Sequence, residues 1–275
     1  MSSAIVRHPA VAGRFYPSDP EELRAEVVGY LSSTSSVRQA PVKAIGCMAP
    51  HAGYIYSGHV AGAVFAGIDI PRRCIVLCPN HTGQGGPLAI MSEGEWETPL
   101  GQAPIDAALA GSLKHRFPAL QEDSAAHRAE HAIEVELPFL QVRQLELAFV
   151  PIALGTTQYE VLEQLGSALA DVIAAEKGPI LIIASGDMNH YESDVVTRAK
   201  DHRAIERIVT LDPRGLHDVV TQQNISMCGL GPAVVLLTAA RQLGAKSADL
   251  VKYATSGDVS GDRKMVVGYA GVVVR

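Results

Sequence analysis

The chain has 275 residues, with 23 Lys and Arg against 29 Asp and Glu, a net charge of −6. That balance argues against nucleic acid or an anionic membrane as the main partner, since both need a basic footprint. A composition that is 47% hydrophobic and 19% charged describes a compact chain with a sizeable core, not a disordered one.

Four cysteines do not make a disulfide framework here. Cys74 and Cys78 are four apart and Cys47 and Cys228 stand alone, so zinc-ribbon spacing fails as well. Reduced thiols are expected. No apolar run reaches the roughly 18 residues of a membrane span. The opening MSSAIVRHPAVAG has no apolar signal-peptide core. The expectation is a soluble, cytoplasmic protein.

In chain order, the Ser-rich stretch Ser32–Ala40 reads as a loop after the first helix. Val42–Ala49 reads as a buried strand and His59–Ile68 as a helix of small residues. Cys74–Cys78 is a second strand, and Leu88–Met91 with Glu95–Thr98 reads as a hairpin. Ile105–Phe117 and Glu130–Arg143 are helical, the latter broken or bent at Pro138. Leu147–Leu154 is a third strand. Tyr159–Glu176 is an amphipathic helix stopped by Gly178 and Pro179. Ile180–Ala184 is the clearest strand of all. Asp194–Leu211, Pro213–Gln222 and Pro232–Leu243 are helices, with Gly244 as a cap. Leu250–Thr255 and Met265–Val274 close the chain as strands.

Strands alternating with helices predict an α/β fold: a three-layer αβα arrangement with a mainly parallel central sheet. In such sheets ligands bind outside the carboxyl ends of the strands. Three strands run directly into polar residues: Pro50-His51-Ala52-Gly53-Tyr54, Pro79-Asn80-His81 and Ser185-Gly186-Asp187-Met188-Asn189-His190. Three histidines on one rim suit metal binding, as neutral imidazole is the commonest protein metal ligand. Cys228 precedes a helix start at Gly229-Leu230-Gly231-Pro232. A helix N-terminus stabilises a thiolate, which is a soft ligand for copper, zinc or iron. The alternative for Cys228 is a small buried hydrophobe, which is also the expectation for Cys47, Cys74 and Cys78 within strands.

Two further segments carry rival readings. His127-Arg128-Ala129-Glu130-His131 spells H-x-x-E-H, which on one helix would set two imidazoles on one face with Glu130 as base. The same segment also places His131 and Glu134 one turn apart, both aimed into a cleft. Ser256–Asp262 has the composition of a cation loop but not its spacing, so a polar turn between strands is expected.

The stretch Arg7-His8-Pro9-Ala10-Val11-Ala12-Gly13-Arg14-Phe15-Tyr16-Pro17 is similar to the opening of the Memo family. So are Ala49–Tyr54, Pro79–His81, Glu130–Glu134, Ser185–His190, Met227–Gly229, Ser256–Asp262 and Val267–Ala270, in the right order and nearly end to end. The resemblance implies a single domain over 1–275, with a fold akin to the class III extradiol dioxygenases, the non-haem iron ring-cleaving enzymes. By position it implies His51, His81 and Cys228 as metal ligands. It also implies His190 as acid–base group oriented by Asp187, with His131, Glu134 and Tyr54 lining a substrate cleft. A thiolate in place of the dioxygenase carboxylate softens the site, so ring cleavage is not carried over. Here the family's EHSIE-like stretch reads EHAIE, and His127 lies outside the pattern.

The implied cofactor is an iron or copper ion, zinc suiting the same donors, with no nucleotide cofactor. Prokaryotic members are encoded beside a radical-SAM protein and a third component, the AmmeMemoRadiSam arrangement, so those are the implied partners. A small molecule or a peptide is the implied ligand, and the low surface charge is compatible with a homodimer. Three functions compete: a metal-dependent redox enzyme, a peptide-binding module built on a relict cleft, and a zinc hydrolase working through His127 and His131. No Arg cluster accompanies the cleft motifs, which weighs against phosphate capture.

Overall fold

The structure is a computed structural model that describes residues 5–33 and 40–275. Most of the Ser-rich stretch, 34–39, lies outside the described residues.

The chain begins with β1 (Val6–Arg7) and α1 (Pro20–Ser32), whose Asp19 cap accepts from the main chain of Glu21 and Glu22. Then come β2 (Gly46–Ala49), α2 (Tyr54–Gly67) and β3 (Arg73–Pro79). Three short strands follow, β4 (Leu88–Ile90), β5 (Glu95–Thr98) and β6 (Gly101–Pro104). The middle of the chain holds α3 (Ala107–Arg116), β7 (Gln121–Glu122), α4 (Ala125–Arg128), α5 (Ala132–Arg143) and β8 (Ala148–Leu154). Next are α6 (Tyr159–Ala175), β9 (Ile180–Ser185), β10 (His190–Glu192), α7 (Asp194–Val209), α8 (Pro213–Gln222) and α9 (Leu230–Gln242). The chain closes with β11 (Ala248–Thr255), α10 (Ser256–Ser260) and β12 (Val266–Val274).

One sheet runs β10-β12-β2-β9-β3-β8-β4-β7, with β11 pairing β12 off that path. Its centre is parallel: β2 with β9, β9 with β3, β3 with β8. Its flanks are antiparallel, through β12 against β2 and β4 against β8. The flank arises because β11 and β12 are joined by a short link, and antiparallel neighbours need no long crossover.

Alternation along the central strands separates two cores. Met48, Ile75, Leu77 and Ile182 face α3, α6, α7, α8 and α9. Cys47, Cys74, Val76, Cys78 and Ile183 face α1, α2 and α5. These are the layers of a three-layer αβα fold. The helix α9 is apolar nearly all round because it packs on the sheet and is covered by α6 and α8. Each fully buried Val, Leu or Ile there contributes about 1.5–3 kcal/mol. All four cysteines are free, and the three in strands are buried.

Several local expectations are corrected. The β4–β5 hairpin does not form. Instead β5 pairs with β6 and with β1 in a separate three-stranded sheet, while β4 joins the edge of the large sheet. Trp96 of β5 is fully buried against His127 and Phe149 of β8, so β5 packs over the large sheet instead of joining its edge. Pro138 does not break α5, which runs through it to Arg143. Ser256–Ser260 is a helical turn, not a polar loop, because Thr255 and Asp258 form a capping box. Asp258 holds Arg198 and Arg263. Among the described residues no helix is long and apolar enough to cross a membrane.

Candidate metal centre

The carboxyl ends of β2, β9 and β3 lie side by side, so the residues after them share one rim. Ala49 pairs with Ser185, and the Gly186 N–H donates to Ala49 O at 2.9 Å, carrying the register past the strand ends. His51 follows β2, Asp187 follows β9 and His81 follows β3. Cys228 enters from the start of α9. It reaches the rim because Gly186 and Gly229 touch backbone to backbone: a Cβ on Gly186 would lie 2.3 Å from the Gly229 Cα.

The result is a tight constellation. The ligand atoms of His51, His81 and Cys228 all lie within 4.8 Å of one another. Cys228 Sγ is 3.4 Å from His51 Nε2. Atoms bound about 2.0–2.3 Å from one ion sit roughly 3–4.5 Å apart, so the spacing needs little contraction. The donor set also fits chemically. His51 Nδ1 is 3.0 Å from Ser185 Oγ, and His81 Nδ1 is 2.9 Å from Glu130 Oε1. A carboxylate only accepts, so His81 donates through Nδ1 and leaves Nε2 as a lone pair. Outer partners of this kind are what orient metal-ligating histidines.

The electrostatics differ from one ligand to the next. Burial, reinforced by the charges of His131 and His81, holds the His51 pKa well below the ordinary value, so it is a neutral imidazole. Burial acts the same way on His81, but the Glu130 hydrogen bond and charge outweigh it and the pKa is raised. For Cys228 the expected helix-terminus effect does not prevail. Burial, followed by the Asp187 charge, pushes the thiol well above its usual value despite the Asp187 N–H that donates to Sγ at 3.2 Å. A cation close by reverses that balance, since a coordinating thiol is deprotonated by its metal.

The structure places the other expected site residues unevenly. His131 belongs to the cluster, stacked on His81 at 4.7 Å between ring centroids and 5.3 Å from His51. Asp187 lies against His51, whose main-chain N–H donates to Oδ1 at 3.0 Å, and burial raises its pKa to about 7. Its carboxylate is committed to that main chain and does not orient the His190 imidazole. His190 stands at the start of β10, its N–H donating to Ser226 Oγ, and burial lowers its pKa.

Glu134 and Tyr54 are not cleft residues. The Glu134 carboxylate is fully buried and takes Arg7, the N–H groups of Ala10 and Val11, and the Tyr16 hydroxyl. It anchors the N-terminal segment. That segment forms a wall of the site, with Phe15 edge-on to His131 at 4.9 Å. Tyr54 is buried in the core, its hydroxyl donating to Val135 O at 2.8 Å.

Glu130, read from sequence as a hydrolytic base, is the chief addition. The H-x-x-E-H segment is not one helix. It is interrupted between Arg128 and Ala132, and His127 packs edge-on to Trp96 in the interior. His127 and His131 therefore form no ligand pair, which removes the zinc-hydrolase option. The freed Glu130 accepts from His81 N at 2.6 Å, His81 Nδ1 and Ala132 N. His81, Glu130 and His131 also converge as a possible ligand group. The Glu130 oxygens are already occupied, so the group containing Cys228 is the better prepared. An acidic residue just before a helix start is a capping signal that could have revealed this role.

Fold and site together define an α/β protein with a histidine–cysteine centre at the carboxyl edge of its sheet. A family model described as Memo-like protein matches residues 7–273. A MEMO1 family protein of Methanopyrus kandleri is 42% identical over 282 residues, covering 98% of this chain and 99% of that protein. A MEMO1 family protein of Methanothermobacter thermautotrophicus is 40% identical over 278 residues, covering 97% and 99%. Among solved structures, an uncharacterized protein of Escherichia coli K12 aligns with a TM-score of 0.49 and 14% identity over 75% of this chain and 88% of that one. This chain belongs to the Memo family.

Proposed function

We propose that the protein is a metal-dependent redox enzyme acting on a small substrate, with iron or copper held by His51, His81 and Cys228. The observation that carries this is the convergence of two imidazoles and a thiol within 4.8 Å, just beyond the carboxyl ends of parallel strands. Such a nitrogen and sulfur donor set suits iron and copper, and zinc as well. A redox-active ion bound there would supply electron transfer and polarisation of the substrate.

The remaining chemistry belongs to the chain. Glu130 and Ser185 fix the orientation of His81 and His51. Asp187, with a pKa of about 7, is matched to hold or release a proton near neutral pH. His190 supplies a half-buried imidazole held in its neutral form by burial. His131 and Phe15 line the approach.

The test is elemental analysis of protein purified without oxygen, comparing wild type with His51→Ala and Cys228→Ser. Near-stoichiometric iron or copper in the wild type, lost in both variants, is expected. Trace metal in all three, with native folding, would overturn the proposal in favour of a metal-independent peptide-binding module.

A further inference from the structure

Behind His51 lies a buried acid that the proposed chemistry does not use. Ser185 Oγ is a three-way junction, 3.0 Å from His51 Nδ1, 3.0 Å from Ala132 O and 2.9 Å from Glu136 Oε1. A hydroxyl has one proton and two lone pairs. Ala132 O can only accept, so all three contacts can be hydrogen bonds at once only if it takes the Ser185 proton. The two lone pairs then face His51 Nδ1 and Glu136 Oε1, and each of these atoms must bring a proton. One alternative gives the Ser185 proton to His51 Nδ1 and leaves the Ala132 contact unmade; the other gives it to an ionised Glu136. The latter leaves a charged Oε2 with no hydrogen-bond partner among the described residues.

We infer that Glu136 is a neutral carboxylic acid that donates to Ser185 and thereby holds His51 as the Nδ1–H tautomer, with Nε2 presented as a lone pair. The surroundings agree. Cys47, Tyr54 and Asp187 are the titratable groups coupled to Glu136, and none brings a positive charge. Burial raises the Glu136 pKa well above the carboxylate range against the opposing Ser185 contact, and the Asp187 charge adds to it. Glu136 is thus a positioning residue acting through Ser185, and what it supplies is a hydrogen-bond donor, not a charge. Its effect on metal affinity rests on His51 being a ligand; the tautomer does not.

The decisive experiment is long-range proton–nitrogen NMR of the histidine rings in metal-free, nitrogen-15-labelled protein, with His51→Gln to assign the signals. Wild type should show His51 protonated at Nδ1 and bare at Nε2. Ser185→Ala and Glu136→Leu should shift it towards the other tautomer. Glu136→Gln, whose amide donates as a neutral acid does, should preserve it. A wild-type His51 protonated at Nε2, or Glu136→Gln as disruptive as Glu136→Leu, would overturn the inference. An infrared difference spectrum of wild type minus Glu136→Gln at neutral pH reports the acid directly. A protonated-carboxyl C=O band is expected, and a carboxylate band alone would overturn the inference. Zinc affinity of the same variants should fall about 10–100-fold for Ser185→Ala and stay near wild type for Glu136→Gln. Loss of zinc binding by His51→Gln addresses the ligand assignment separately, whatever the tautomer.

Discussion

Glu134 and Glu136 are two residues apart on α5, and both are fully buried. One faces Arg7, two main-chain N–H groups and a tyrosine hydroxyl; the other faces a single serine and leaves an oxygen without a hydrogen-bond partner among the described residues. Equal burial on one helix yields opposite uses. Where donors are plentiful, the carboxylate is an anchor for a distant segment. Where they are scarce, it is a neutral acid that lends its proton to a neighbour. Depth of burial alone does not decide between these uses; the supply of partners weighs against it.

The largest effect should come from stripping the anchor. Arg7→Ala or Glu134→Ala leaves an uncompensated buried charge, which costs about 3–5 kcal/mol. Urea denaturation measures this, and a loss below ~1 kcal/mol would break the contrast with Glu136. A second pair of acids, on α7, differs in burial as well as in partners. Asp194 is held down to a pKa of about 2 by the Arg198 hydrogen bond, with Thr255 and Arg263 assisting. Asp201, seven residues on, is raised to about 6 by burial, which outweighs bonds from the Tyr253 hydroxyl and the Asn189 N–H.

The sign for Asp201 is definite. Its folded pKa of about 6 exceeds the ordinary 3.8, so its favourable contribution is complete below 3.8 and is lost as pH rises through about 6. The difference of about 2.2 units corresponds to ~3 kcal/mol. Asp201→Asn should flatten stability against pH across that window, as followed by denaturation at a series of pH values. An unchanged slope would mean that burial does not raise the Asp201 carboxyl.

At the candidate metal centre, Glu130→Gln should keep the fold and lower zinc or iron affinity about 10–100-fold, read by competition with a chelator. Affinity unchanged by the substitution would mean that the Glu130 bonds to His81 serve the main chain alone. The smallest effect is on the stability of Glu136→Gln, expected within ~1 kcal/mol of wild type because one neutral donor replaces another. A loss as large as that of Glu134→Ala would erase the distinction between the two glutamates.

Much of the architecture is legible in the residues. Apolar runs such as Ile180–Ala184 can only be strands covered on both faces, and the polar residues after them mark one rim. His51, His81 and Cys228 are brought together as the family resemblance implies. What escaped was the work of single long-range contacts. Nothing in the alternation of Glu95–Thr98 says that the strand will pair with β1 and β6 and bury Trp96 against Phe149. Glu134 has helical spacing from His131, but its partners lie more than a hundred residues earlier in Arg7 and Val11. The turn at Ser256 was readable, since Thr255 followed by Asp258 is a capping pair.

The approach of Cys228 to the rim is set by two main chains in contact, at Gly186 and Gly229. That one contact involves no side chain. The same economy leaves a one-methyl weak point. A single added carbon at either glycine would act as a wedge, parting Cys228 from His51 while leaving every donor atom chemically intact.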